Sequence, residues 1–126
     1  MPEACNDLRV FNDFERNPEL LKKFDKVLSA LSAAAIFADV QYRTGVMDSA
    51  IKPAFRSKVT GQAVTVQLSK GDLVDPLKAL EMGQEGDVVV VDAGGDLNTS
   101  VCGGLMGGLA QNRGIRGMIV DGAGRD

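Results

Sequence analysis

The chain has 126 residues and sets 14 Lys plus Arg against 17 Asp plus Glu, a formal charge of −3 on a length that suits one core. Its 44% hydrophobic content excludes a disordered or fibrous composition, and its interspersed charges leave no basic stripe for direct nucleic-acid binding. The N-terminus has no basic and apolar leader pattern, and no run approaches the ~20 apolar residues of a membrane span, so a cytoplasmic protein without membrane contact is expected.

Cys5 and Cys102 lie far apart and neither sits in a Cys-x-x-Cys pair, so two reduced thiols are expected rather than a disulfide or a thiolate zinc site. Histidine is absent altogether. Its absence removes the usual neutral-pH proton shuttle, Ser-His and Cys-His nucleophile systems, and imidazole ligation. Any metal must therefore be held by oxygen, which points to Mg²⁺ or Mn²⁺, with calcium as a third candidate.

In chain order, Asn17-Pro18-Glu19 supplies an N-cap, a first-turn proline and a first-turn acid. Leu20, Leu21, Phe24, Val27, Leu28 and Leu31 follow at helical spacing, predicting a helix with one buried face. A second helical run carries Ala33, Ile36, Phe37 and Val40 and is stopped by Thr44-Gly45, completing a helical pair. From Lys58 the period changes to two: Val64, Val66 and Leu68 alternate with Ala63, Thr65 and Gln67, as in a strand with one face more buried.

Asp75-Pro76 caps a short helix through Leu77, Leu80 and Met82, stopped at Gly83. The run Val88–Val91 predicts a strand buried on both faces, followed by an Asp92–Asp96 turn. Leu105, Met106 and Leu109 line one side of a third helix ending near Asn112-Arg113-Gly114, and Met118-Ile119-Val120 is a further apolar strand. The order β-α-β-α-β favours parallel strands and places the loops after Val91 and Val120 at one carboxyl edge, where ligands of such sheets bind.

Two segments meet at that edge. Gly103-Gly104-Leu105-Met106 opens the third helix, where backbone N–H groups lack intrahelical partners, the dipole favours an anion, and glycine lets a carboxylate approach. Asp121-Gly122-Ala123-Gly124-Arg125-Asp126 is a polar turn in which Arg125 can grip a carboxylate bidentately and Asp126 can ligate a hard cation. Taken singly, the glycines also suit packing and turns, and Arg125-Asp126 also suits a surface ion pair. Asp92 and Asp96 are candidate supporting groups, Asp87 is read as a turn residue at the opposite edge, and Lys52 as an exposed loop lysine. Neither glycine segment has the Gly-x-Gly-x-x-Gly or Gly-Lys-Ser/Thr pattern of nucleotide binding.

Gly86-Asp87-Val88-Val89-Val90-Val91-Asp92, the Gly-x-Leu-Met helix start and Arg113-Gly114-Ile115-Arg116-Gly117-Met118-Ile119-Val120-Asp121-Gly122-Ala123-Gly124-Arg125-Asp126 together resemble the RraA-like family, from about Ser32 to Asp126. That family groups regulators of ribonuclease activity with class II 4-hydroxy-4-methyl-2-oxoglutarate aldolases that also decarboxylate oxaloacetate. The resemblance implies a swivelling β/β/α domain with a central parallel sheet, a second antiparallel sheet and N-terminal helices, assembled as a trimer or hexamer. It implies one RraA-like domain over 1–126, with a helical part at 1–45 and a β-α-β-α-β core at 58–126, continuing in its relatives beyond Asp126.

The activity implied is that of a divalent-metal-dependent lyase acting on a small 2-oxo acid. Substrate carboxylate would be held by Gly103, Gly104, Leu105, Met106 and Arg125, with Arg125 and Asp126 as catalytic residues and Asp126 as the metal ligand. Gly104 stands where the family pattern has an acid that orients metal-bound water. The alternative the resemblance carries is a non-catalytic ring that binds a ribonuclease or helicase.

Overall fold

The computed structural model describes residues 9–11, 15–30 and 32–125. In chain order it contains α1 (Pro18–Leu28), α2 (Ala33–Val40), β1 (Ala63–Gln67), α3 (Asp75–Met82), β2 (Val88–Cys102), α4 (Gly104–Asn112) and β3 (Gly117–Gly124). The strands form one sheet in the order β1-β2-β3, with both neighbouring pairs parallel. This is the sheet that the β-α-β-α-β order predicts, each crossover carrying its helix. The second, antiparallel sheet implied by the resemblance has no strand among the described residues.

Register explains the burial. Val64 pairs with Val89 and Val89 with Met118, while Val66 pairs with Val91 and Val91 with Val120. Because alternate side chains take opposite faces, these rows share one face with Leu80 and Ala79 of α3 and Ala110 of α4 in a single apolar cluster. Leu80 and Val89 have no exposed surface. Truncating Leu80 to alanine in such a core costs about 2–5 kcal/mol. The intervening row, Thr65, Val90 and Ile119, takes the other face and is half-buried to exposed.

Several sequence expectations are corrected. No residue of α1 is buried and Leu20 is 43% exposed; in α2 only Ala33 is buried, while Ile36 and Val40 are exposed. Helical periodicity marks an apolar face but does not say how much protein covers it. The two helices do form a pair, with Phe24 and Phe37 in edge-to-face contact at 5.3 Å. Asn17 caps α1 as expected, its Oδ1 accepting from Leu20 N at 2.9 Å. Helix α2 ends at Val40, before Thr44-Gly45, with Tyr42 and Arg43 both at positive φ.

In α3 the buried residues are Pro76, Ala79 and Leu80, whereas Leu77 and Met82 are exposed. Asp72 Oδ1 accepts from Val74 N at 2.7 Å and Asp75 N at 3.3 Å, and so performs the capping expected of Asp75. Strand β2 runs on to Cys102, so the Asp92–Asp96 segment interrupts a strand instead of ending it. Likewise β3 continues through Asp121 to Gly124, and the expected polar turn there is strand.

At the amino edge Asp87 is buried at 2% exposure. Its carboxylate accepts from Gln84 N at 2.8 Å, which fixes the turn into β2, and from the guanidinium of Arg16. Arg113, at the end of α4, donates to the carbonyls of Glu81 and Gly83 and thereby caps the end of α3. Gly114 has φ +71°, a left-handed conformation, and a Cβ there would lie 2.8 Å from Glu85 Cγ.

Candidate functional site

The two expected site segments come together at the carboxyl edge of the sheet. Up to Asp92 and Asp121 the β2–β3 pairing is regular; beyond them Asp96 pairs with Gly122, Ser100 with Ala123 and Cys102 with Gly124, and β2 bulges outward between these pairs. Left-handed Gly94 and Gly95 make the first excursion, with Asp92 Oδ1 accepting from Gly94 N at 2.9 Å. Asp96 Oδ1 closes the second by accepting from Asn98 N at 2.8 Å.

The last bond joins the two halves. Arg125 N donates to Cys102 O at 2.9 Å, and Cys102 immediately precedes Gly103, the N-cap of α4. Gly103 is extended, with φ −161° and ψ −174°, and its carbonyl accepts the first helical bond from Gly107 N at 3.0 Å. No side chain among the described residues caps this helix, so the amides of Gly104, Leu105 and Met106 are left for solvent or a ligand. Their dipoles favour a small anion.

Among the candidates, Gly103 is half-buried while Gly104 and Arg125 are exposed. Met106 and Leu109 pack on the core. Leu105 is 88% exposed, which corrects the expectation that it lines the buried side of the helix. Asp126 lies outside the described residues, as does Cys5. Lys52 is exposed, as expected of a loop lysine.

The surroundings are acidic. Asp96 has one carboxylate oxygen, Oδ2, shielded from solvent without a hydrogen-bond partner among the described residues. Hydrogen bonds from Asn98 N and then from the Thr99 side chain hold its carboxyl below the ordinary range, so it is an anion near neutral pH. Burial raises the Cys102 thiol above its ordinary range, which keeps it protonated and a poor nucleophile. Asp92 Oδ2 accepts weakly from Gln67 Nε2 at 3.4 Å. No group of three or more His, Cys, Asp or Glu among the described residues is arranged to hold a metal ion.

Sequence reading missed the part played by Cys102 and Ser100. The Cys102 carbonyl takes the Arg125 amide, and Ser100 Oγ donates to that same carbonyl at 3.1 Å. Main-chain pairing of this kind leaves no residue-type signal; only the place of Cys102 just before Gly103 could have indicated it.

A family model described as RraA-like, Aldolase/RraA, matches residues 23–126. The chain belongs to the RraA-like family. Among RraA-like relatives, a Halalkalibacterium halodurans protein named provisionally as a 4-hydroxy-4-methyl-2-oxoglutarate aldolase is 43% identical over 81 residues, covering 64% of this chain and 39% of its own. An Arabidopsis thaliana protein named in the same provisional way is 40% identical over 67 residues, covering 53% of this chain and 40% of its own.

Solved structures are similar across nearly the whole chain. Streptomyces coelicolor RraAS2, described as an unusual member of the RNase ES inhibitor RraA protein family, matches with a TM-score of 0.64 and 30% identity over 90% of this chain and 58% of its own. A Pseudomonas syringae pv. tomato protein of unassigned function matches with a TM-score of 0.67 and 25% identity, over 95% and 55% respectively. The RraA-like chain therefore spans 39% and 40% of those two curated relatives. No helix among its described residues is long and apolar enough to cross a membrane.

Proposed function

We propose that this RraA-like chain carries the substrate-binding part of a divalent-metal-dependent lyase that cleaves a carbon–carbon bond of a 2-oxo acid to give pyruvate. The reaction is of the 4-hydroxy-4-methyl-2-oxoglutarate aldolase or oxaloacetate decarboxylase type. The observation that carries this reading is the bond from Arg125 N to Cys102 O, which sets an exposed arginine beside an uncapped, glycine-opened helix start. In this reading two kinds of anion donor would act together: a guanidinium fork and an arc of main-chain amides.

In this reading the carboxylate of the 2-oxo acid lies against the amides of Gly104, Leu105 and Met106, and Arg125 fixes its orientation. Gly103 leaves room because it has no Cβ. Orientation of this type lowers the barrier by holding the scissile bond in a reactive geometry. The described residues offer carboxylates and carbonyls, with neither imidazole nor a three-carboxylate cage, and this donor set suits a cation of the magnesium type that shares its shell with water and substrate. Asp126 would hold Mg²⁺ or Mn²⁺ there, and the bound ion would supply Lewis-acid stabilisation of the developing enolate charge. A lysine imine has no role, and Lys52 stays in solvent.

Loss of the acid at Gly104 leaves water orientation to another group, for which Asp92 and Asp96 are the candidates, Asp96 carrying a carboxylate oxygen without a partner among the described residues. Assembly as a trimer or hexamer in the cytoplasm goes with the reading. Direct binding tests the central feature: pyruvate titrated into the full-length protein should bind, and Arg125→Ala should weaken it about tenfold to a hundredfold with unchanged circular dichroism. Equal binding by wild type and variant would remove Arg125 from the site.

Two observations favour a second reading, a non-catalytic regulator that binds a ribonuclease or helicase. Gly104 lacks the water-orienting acid, and the similar Streptomyces coelicolor protein is described within an RNase inhibitor family. Failure to bind pyruvate, together with capture of such an enzyme, would support it.

A further inference from the structure

The opposite, amino edge of the sheet is held in a different way from the rest of the fold. Helices α3 and α4 attach by burying Ala79, Leu80 and Ala110 against the strands. Helix α1 buries no residue completely. Its apolar side chains Leu20, Leu21 and Phe24 instead line an open cleft of about 380 Å³, shared with Phe37 of α2 and the Thr60–Gln62 approach to β1.

What ties α1 and its flanks to the core is polar. Arg16, just ahead of the helix, pairs with buried Asp87 at the start of β2. Asp25, on the helix, accepts from Arg116 Nη1 at 2.7 Å and from the Thr60 hydroxyl, joining α1 to the entries of β3 and β1. Lys58 Nζ donates to Ala30 O at 2.6 Å, at the end of the helix. Arg116 and Asp25 keep 42% and 35% side-chain exposure, so water and salt compete with their bond. Phe24 and Phe37 hold α1 to α2 in edge-to-face contact.

We propose that the α1–α2 pair is a detachable cover over the amino edge of the sheet, latched by these charged contacts and able to lift from the β-α-β-α-β core before the core unfolds. Lifting uncovers only half-buried side chains of α1, none of which belongs to the core cluster, whereas releasing α3 or α4 would expose that cluster. Lifting bares the Thr60–Gln62 face and leaves the carboxyl-edge site intact. The latch is set by Asp25 and Arg116 on the exposed side and by Arg16 and Asp87 on the buried side.

Native-state amide hydrogen exchange on the full-length protein tests this. In Asp25→Asn the amides of Phe24 to Val27 should exchange about tenfold faster than in wild type, while those of Val89 and Val91 keep their rates. Arg116→Gln should shift the same amides in the same direction, and raising NaCl from about 0.05 M to about 1 M should do so more weakly in wild type. Exchange of α1 amides in step with Val89 and Val91 would overturn the proposal. So would α1 rates unchanged in both variants.

Discussion

Arg125 and Cys102 are joined by a backbone hydrogen bond of 2.9 Å, so the residue after β3 is fixed to the residue that ends β2 and precedes α4. Through this bond the position of the arginine depends on the irregular pairing that leads to it, in which Gly122 lies against Asp96. A Cβ at Gly122 would stand 2.9 Å from Ala93 Cβ and 3.4 Å from Asp96 O. Gly122→Val should therefore destabilise the fold by about 1–3 kcal/mol in urea unfolding and weaken pyruvate binding as well. Gly124→Ala is the control: its nearest neighbour, Cys102 O, is 3.7 Å away, and the change should stay within about 0.5 kcal/mol.

Gly104 is exposed in the first turn of α4. Gly104→Glu would add a carboxylate where the family pattern has an acid, and would also suit the helix dipole and replace a poor helix former. Stability should rise by about 0.5–1 kcal/mol. If water orientation limits the reaction, turnover should rise by about a hundredfold, measured as pyruvate release. A gain in stability with no gain in turnover would mean that the chain already has its water-orienting group.

Acid should loosen the amino edge. The hydrogen bond from Arg116, then that from Thr60, holds the Asp25 carboxyl below its ordinary 3.8, outweighing the opposing effect of desolvation. The folded state thus releases this proton more readily than the unfolded state, so the contribution is present above about pH 4 and is lost as pH falls through the folded value. Between about pH 6 and about pH 3 the urea midpoint of the wild type should fall, and Asp25→Asn should start lower and fall less steeply. Asp96, also held low, leaves a residual slope in the variant.

The parallel sheet was legible because its signals are local: the alternation at Val64, Val66 and Leu68, the four valines from Val88, and the Met118–Val120 run each mark a strand by themselves. The meeting of the two candidate segments was legible because the β-α-β-α-β order puts the ends of β2 and β3 at one edge. What could not be read depends on distant partners. Asp87 was legible as a turn residue, but its burial and ion pair were not, because Arg16 is 71 positions away. Leu105 looked buried because periodicity cannot tell a face covered by the same chain from one left open, and at 88% exposure it is the clearest such case. The joining of the two site segments through Cys102 rests on main-chain atoms, which every residue has.

The most direct measurement is pyruvate release from oxaloacetate and from 4-hydroxy-4-methyl-2-oxoglutarate by the full-length protein, assayed with Mg²⁺, with Mn²⁺ and with EDTA, beside the Asp126→Ala variant. Metal-dependent turnover that EDTA abolishes and Asp126→Ala lacks is the predicted result. Absence of turnover on both substrates with either metal, in protein that is folded, would contradict the lyase assignment and leave the regulator as the function of this chain.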